Sequence, residues 1–156
     1  MSLQTSNPSS HQYLSYADGI AAMWQDFLLL VGRIMMGWIF FQSGWGKIGN
    51  IAGYAKSFPR RGLAEWMAYI SVPAEFFGGL FLILGFATRY TVLAMLIFTI
   101  VASFSSHAYW SGPEAQRSAQ ASNFWKNVAI MGGLIVLFVS NPGRFSLDNL
   151  LFRKKR

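Results

Sequence analysis

The sequence contains no cysteine. This absence excludes thiol–disulfide exchange, iron–sulfur clusters and covalently attached c-type haem, because each of them requires cysteine sulfur. Histidine is nearly absent too, with two in the chain, and only His107 adjoins an apolar segment. One chain therefore cannot hold a haem between two membrane-embedded histidines. We expect no intrinsic cofactor, so any redox carrier must be a quinone or belong to a partner protein.

Charged residues are also scarce. They make up 12% of the chain, whereas 53% is hydrophobic, and an ordinary soluble domain has about 25% charged residues. This balance indicates a membrane protein. Four apolar stretches have nearly the roughly 20 residues that cross a bilayer as a helix, and they occupy residues 27–43, 67–87, 90–106 and 124–140. We therefore predict an all-α fold, a membrane-spanning four-helix bundle that forms one domain over residues 13–151.

Acidic residues are few, six against thirteen Lys and Arg, which gives a net charge of +7. In a soluble domain this excess would suggest nucleic acid. Here four consecutive basic residues, 153–156, lie just beyond the hydrophobic segments, a position typical of a cytoplasmic anchor beside anionic lipid. The predicted partner is therefore membrane lipid and not nucleic acid. Because four spans put both termini on one side, we predict that both are cytoplasmic, with residues 152–156 as a basic tail.

The segments outside the spans carry weaker patterns. Residues 1–26 contain no Lys or Arg and no apolar core of a signal peptide, and residues 1–12 are predicted to be disordered. A short interfacial helix is predicted before the first span, because aromatic and apolar residues recur there at helical spacing. Residues 50–62 mix aromatic with basic side chains and indicate a second interfacial segment. Residues 109–123 are predicted to form a polar loop.

Glu75 lies inside an apolar run of the second span. A carboxylate at membrane depth costs several kcal/mol unless it has a partner or faces water, so it is a candidate functional residue. On the first span Arg33 and Lys47 share one helix face with Gly37, Phe40 and Gly44. The two basic residues are fourteen positions apart, about 21 Å along a helix, so they cannot belong to one site.

Polar residues of the other spans approach the same end of the bundle as Lys47. His107 follows the third span, and Lys126 and Asn127 begin the fourth. Two interpretations remain open. In the first, Glu75 forms a structural ion pair, most simply with Arg33 or Lys126, while the lysines near span ends extend toward the interface. In the second, the polar residues form a functional site.

Several motifs together resemble a known family. They are GWGKI at residues 44–48, EFFGG at 75–79, LGFATR at 84–89, HAYW at 107–110, NFWKNVAIMGG at 123–133 and NPGRFSLD at 141–148. Read in this order, and with Arg33 before them, they resemble the DoxX family of small four-span bacterial membrane proteins, especially its YqjF-like and YphA-like members. One departure is Asn141, which stands where Gly is usual before Pro142. The resemblance implies a four-helix bundle of the cytoplasmic membrane with both termini inside. The protein after which the family is named is a subunit of a quinone-linked complex that oxidises thiosulfate.

These observations predict an externally opening pocket for a quinone head group or a small anion. Glu75 and His107 would transfer protons as catalytic residues, and the remaining side chains would bind the ligand. The predicted ligand-binding residues are Lys47, Lys126 and Asn127, ringed by Trp45, Trp110 and Trp125. Three function classes remain open: a membrane subunit of an oxidoreductase, a non-enzymatic scaffold, chaperone or partner-binding protein, and a small-solute or proton pathway. The last is disfavoured because one span alone carries a mid-depth acid and no pair of broken helices is evident. The protein partner that we expect is a redox protein or a second copy of the chain.

Overall fold

The computed structural model describes residues 8–152, and their side chains from Ser15 onward. This part of the chain is helical, and four helices are long and apolar enough to cross a membrane. The helices are α1 (Pro8–Ile48), α2 (Ile51–Ala55), α3 (Ala68–Leu84), α4 (Thr88–Ser106), α5 (Glu114–Val139) and α6 (Leu147–Phe152), with 3-10 turns at Pro59–Arg61 and Glu65–Met67. The predicted all-α architecture with four spans is confirmed.

The spans α1, α3, α4 and α5 alternate in direction, so one end of the bundle brings together the last residues of α1 and α4 with the first residues of α3 and α5. Helix α1 packs mainly on α3, α3 on α4 and α4 on α5, while α1 and α5 touch much less. The core lies near the middle of the bundle. It consists of Phe40, Leu82, Val92, Met95, Ile130, Leu134 and Leu137.

Small residues allow α1 and α3 to pack closely. A Cβ atom on Gly37 would lie 2.6 Å from the carbonyl oxygen of Gly79, and one on Gly44 would lie 2.5 Å from the backbone nitrogen of Phe76. Real Cβ atoms do not approach this closely, so these positions need glycine. The predicted inward face of the first span is confirmed, because Arg33 and Phe40 are buried together with the two glycines.

The turn between α3 and α4 is tight. Gly85 adopts a left-handed conformation with φ of 64°, and Ala87 one with φ of 44°. Asp148 stabilises this turn from the far end of the chain, because its carboxylate accepts hydrogen bonds from the amides of Ala87 and Thr88 at 2.6 and 2.8 Å. Spans α3 and α4 are thus antiparallel neighbours, and the segment after α5 returns to cover their connection.

Two boundaries differ from the prediction. Helix α1 runs for 41 residues without a break, so the residues of the predicted interfacial helix continue directly into the first span, and helix also covers residues 8–12 of the predicted disordered tail. Helix α5 begins at Glu114, which places most of the predicted polar loop in its first turns. Residues 1–7 and the basic residues 153–156 lie outside the described residues.

Candidate functional site

One end of the bundle contains a cavity of about 1010 Å³. At this end α1 finishes, α3 begins, α4 finishes and α5 begins, and we call it the cavity end. All five polar residues that the sequence brings together line the cavity, namely Lys47, Glu75, His107, Lys126 and Asn127. Helical periodicity made most of this convergence predictable, because Lys47, Glu75 and Asn127 lie on the inward faces of their helices near the same end of the bundle.

Glu75 forms an ion pair with Lys47. The Nζ atom of Lys47 lies 2.6 Å from Oε2 of Glu75 and also donates to Oγ of Ser43 at 2.8 Å. The Glu75 side chain is 14% exposed and that of Lys47 is 23% exposed, so the pair is largely withdrawn from the surface. Such a pair balances the charge of a carboxylate that would be costly alone at this depth.

This pairing corrects the structural alternative, which named Arg33 or Lys126 as the partner of Glu75. Arg33 lies near the opposite end of the bundle, where it is fully buried and donates from Nη2 to the carbonyl oxygen of Phe145 at 2.6 Å. Lys126 is exposed and donates to Oδ1 of Asn123 at 3.0 Å. Lys47 pairs with Glu75 because the two side chains face each other across the close contact between α1 and α3.

Asn127 reaches the cavity from a buried position on α5. Its side-chain amide donates to Oγ of Ser103 at 3.1 Å, and Ser103 in turn donates to the carbonyl oxygen of Thr99 at 2.6 Å. Both Asn127 and Ser103 are buried. This chain of hydrogen bonds joins α5 to α4 and fixes the amide at the cavity wall.

His107 ends α4 and faces the first turns of α5. Its Nδ1 lies 2.8 Å from Oε1 of Gln120. Because an amide oxygen only accepts hydrogen bonds, Nδ1 donates, and the Nε2 atom of a neutral ring is left as an acceptor. The imidazole can therefore take up a proton at Nε2 without losing the contact that orients it.

The three tryptophans do not line the cavity. Trp45, Trp110 and Trp125 are 64%, 52% and 58% exposed, and they contact other aromatic rings on the outer surface of the bundle. The prediction that they ring the pocket is wrong, because the spans are apolar on several sides and residue type alone does not separate an inward from an outward aromatic.

Two basic residues of the connection between α2 and α3 complete the cavity and were missed. Arg60 and Arg61 both line it, and the guanidinium of Arg61 donates to the hydroxyls of Tyr54 and Ser106 at 3.3 and 3.4 Å. In the sequence these two arginines stand among aromatic residues, a pattern that indicated a segment at the membrane interface and not a cavity. Within the described residues neither of them, nor Lys126, forms an ion pair.

The electrostatic character of the cavity follows from these contacts. Glu75 is the one acidic residue among the described lining residues, and Lys47 already balances it. Three further cationic groups, on Arg60, Arg61 and Lys126, remain without an acidic partner in the described part of the chain. The cavity is therefore suited to a ligand that carries negative charge or acquires it.

Comparisons with known proteins agree with this architecture. The model of the DoxX family matches residues 28–108. Inner membrane protein YqjF of Escherichia coli K12 is 35% identical over 130 residues, which cover 83% of this chain and 96% of that protein.

Two further relatives match. Inner membrane protein YphA of the same organism is 32% identical over 137 residues, 86% of this chain and 96% of the relative. Surfeit locus protein 4 homolog of Schizosaccharomyces pombe is 29% identical over 68 residues, 42% of this chain and 22% of that protein. No solved structure matches the chain at a significant level.

Proposed function

Since the chain belongs to the DoxX family and is an integral inner membrane protein, we propose that its cavity binds the head group of a quinone for a membrane-bound oxidoreductase. The observation that carries this proposal is the cavity itself, which gathers an ion pair, an oriented imidazole and cations without an ion-pair partner among the described residues. The electrons come from a redox partner protein, because this chain has no thiol and the bundle offers no pair of haem-ligating histidines.

Quinone reduction requires two electrons and two protons, and negative charge develops on the two ring oxygens before the protons arrive. Arg60, Arg61 and Lys126 line the cavity and form no ion pair with any described residue, so they favour that developing charge. Protons reach the oxygens through side chains that can release and regain them. Glu75, paired with Lys47, and His107, through Nε2, are suited to this role.

The cavity is also accessible from the side of the bundle. Ile39 of α1 and Phe104 of α4 both line it, yet they are 40% and 58% exposed on membrane-spanning helices. These exposed apolar side chains support an entrance to the cavity from the surface that lipid covers. A lipid-soluble quinone can place its head group among the polar residues while its tail stays in the bilayer.

A second candidate ligand is a small anion. It is favoured by the same three unpaired cations, since a preformed positive cavity attracts an anion without any redox step. The two ligands differ in how they reach the cavity and in the role of Glu75. A quinone needs a group such as Glu75 that transfers protons. A small anion is repelled by the ionised carboxylate of Glu75, so its binding becomes tighter when Glu75 is neutral.

Native mass spectrometry of the gently extracted protein tests the proposal. We expect a bound mass equal to an isoprenoid quinone in the unaltered protein and loss of that mass in the Lys47→Met variant. A bound mass of a small inorganic anion would favour the second candidate. A protein partner retained with no small molecule would contradict both and would support a scaffold.

A further inference from the structure

The amino-terminal part of α1 extends beyond the bundle at the end opposite the cavity. Its last contacts there are with the segment after α5, where the amide of Arg144 donates to Oδ1 of Asp26 at 2.8 Å and Gly143 lies against Leu29. Every described residue before Asp26, over residues 15–25, is exposed. In the described part of the chain, the residues from Tyr16 to Gln25 are therefore not covered by another helix.

Large apolar side chains cover one broad side of this part of α1, with Trp24 and Leu28 at its edge, and six of them follow a regular spacing. Tyr16, Ile20, Met23 and Phe27 are 76%, 52%, 78% and 49% exposed. With Leu30 and Ile34 they follow a spacing of four, three, four, three and four, which is the a/d repeat of a two-stranded coiled coil. We call the six residues the α1 seam.

The opposite side of the same helix carries polar residues among small ones. Asp18 and Gln25 occupy the position of the repeat that lies farthest from the seam, and both are exposed. A helix that lies entirely in lipid has no reason to separate its residues in this way. The pattern is typical of a helix whose one face packs on another protein surface.

A second copy of this chain fits the seam. Two copies in one membrane have the same orientation, so their α1 helices are parallel and can pair about a two-fold axis along the membrane normal. Isoleucine at the a positions Ile20 and Ile34, with Leu30 at a d position, favours two strands. The seam ends naturally at Gly37, where α3 covers the same side of α1.

An anionic lipid surface fits less well. Residues 1–32 contain no Lys or Arg, whereas helices that lie on anionic membranes are rich in both. The unbroken course of α1 also carries its first turns away from the bundle along the axis of the span. The few turns of α1 that lie outside the bundle would be marginally stable as an isolated helix in water. Pairing with a second copy supplies the packing that stabilises them.

We propose that the protein is a homodimer held by a parallel coiled coil of the two α1 seams, from Tyr16 to Ile34. The interface lies at the end of the bundle opposite the cavity. It leaves the cavity, and the surface through which a ligand enters it, free in each copy. The dimer does not depend on the proposed ligand, so each of the two proposals can fail without the other.

The absence of cysteine from the chain allows a clean test by disulfide cross-linking in native membranes. We expect Tyr16→Cys and Met23→Cys, both at d positions, to give a covalent dimer after mild oxidation. Asp18→Cys and Gln25→Cys are matched controls on the opposite side of the same turns, and we expect them to remain monomeric. Equal cross-linking at all four positions, or none at any, would overturn the proposal.

A second measurement, the mass of the intact complex, tests the dimer even if a cysteine substitution in the α1 seam perturbs the helix. The unaltered protein, extracted gently, is expected to have the mass of two chains in native mass spectrometry. The Ile20→Glu variant is expected to have the mass of one chain, and Gln25→Glu, which adds the same charge on the polar side, to remain dimeric. A monomeric unaltered protein would contradict the seam as an interface between copies and would assign it to lipid.

Discussion

The Nζ atom of Lys47 lies 2.6 Å from Oε2 of Glu75, joining the end of α1 to the second turn of α3. This contact resolves which cation accompanies the membrane-embedded carboxylate. It also leaves Lys126 and the two arginines of the α2–α3 connection without acidic partners in the described part of the chain. The ion pair therefore links α1 to α3. Because it uses the one acidic residue among the described residues that line the cavity, the other cations there give an excess of positive charge.

The Lys47–Glu75 pair predicts a coupling that other cations of the cavity lack. In a double-mutant cycle with Lys47→Met and Glu75→Gln, we expect a coupling of about 0.5 to 3 kcal/mol in the free energy of unfolding. The matched cycle pairs Glu75→Gln with Lys126→Met, and its effects should add, because Lys126 bonds to Asn123 instead. Thermal unfolding in detergent measures both cycles. Equal coupling in the two cycles would show that the ion pair is not specific.

The close contact between α1 and α3 predicts different effects of one substitution at two nearby glycines. Replacing Gly44 by Ala places a Cβ atom 2.5 Å from the backbone nitrogen of Phe76, and overpacking typically costs about 1 to 3 kcal/mol. Gly46→Ala is the matched control, since no atom lies within 4 Å of its Cβ. We expect a lowered melting temperature only for Gly44→Ala. If both variants melt alike, the two helices are not packed through Gly44.

Much of the site follows from the sequence, because a helix places residues three and four apart on one face. That rule brings Lys47, Glu75 and Asn127 to one end of the bundle. It does not give the rotation of helices that are apolar on several sides, so Trp45 was expected inside and lies outside. Nor does it show that Arg33 meets the returning segment after α5, because that contact joins residues far apart in the chain.

The carboxylate of Asp148 predicts a stabilising role at the end opposite the cavity. It accepts hydrogen bonds from the amides of Ala87, which precedes α4, and of Thr88, the first residue of α4. Replacing it by Ala is expected to cost about 1 to 2 kcal/mol, the usual effect of losing a helix cap. Asp18→Ala is a control, because Asp18 is exposed before the bundle begins. Thermal unfolding should distinguish the two, and equal stability would contradict the capping role.

The orientation of the chain remains a prediction. Four spans put both termini on one side, and the basic residues 153–156 indicate the cytoplasm. A fluorescent reporter that matures only in the cytoplasm should be active when fused to the C-terminus, and an alkaline phosphatase fusion there should be inactive. The control is the same pair of reporters inserted at Gly112, between α4 and α5, where the activities should be reversed. Phosphatase activity at the C-terminus would contradict the orientation.

The most direct test of the central claim is the dissociation constant of a short-chain ubiquinone for the purified protein in detergent. We expect saturable binding that weakens about tenfold or more in Lys47→Met and in Lys126→Met, equivalent to about 1.4 kcal/mol or more. Arg144→Gln, which removes a cation at the opposite end, should bind like the unaltered protein. Binding that does not saturate, or one affinity for all four proteins, would contradict the assignment of this cavity as a quinone site.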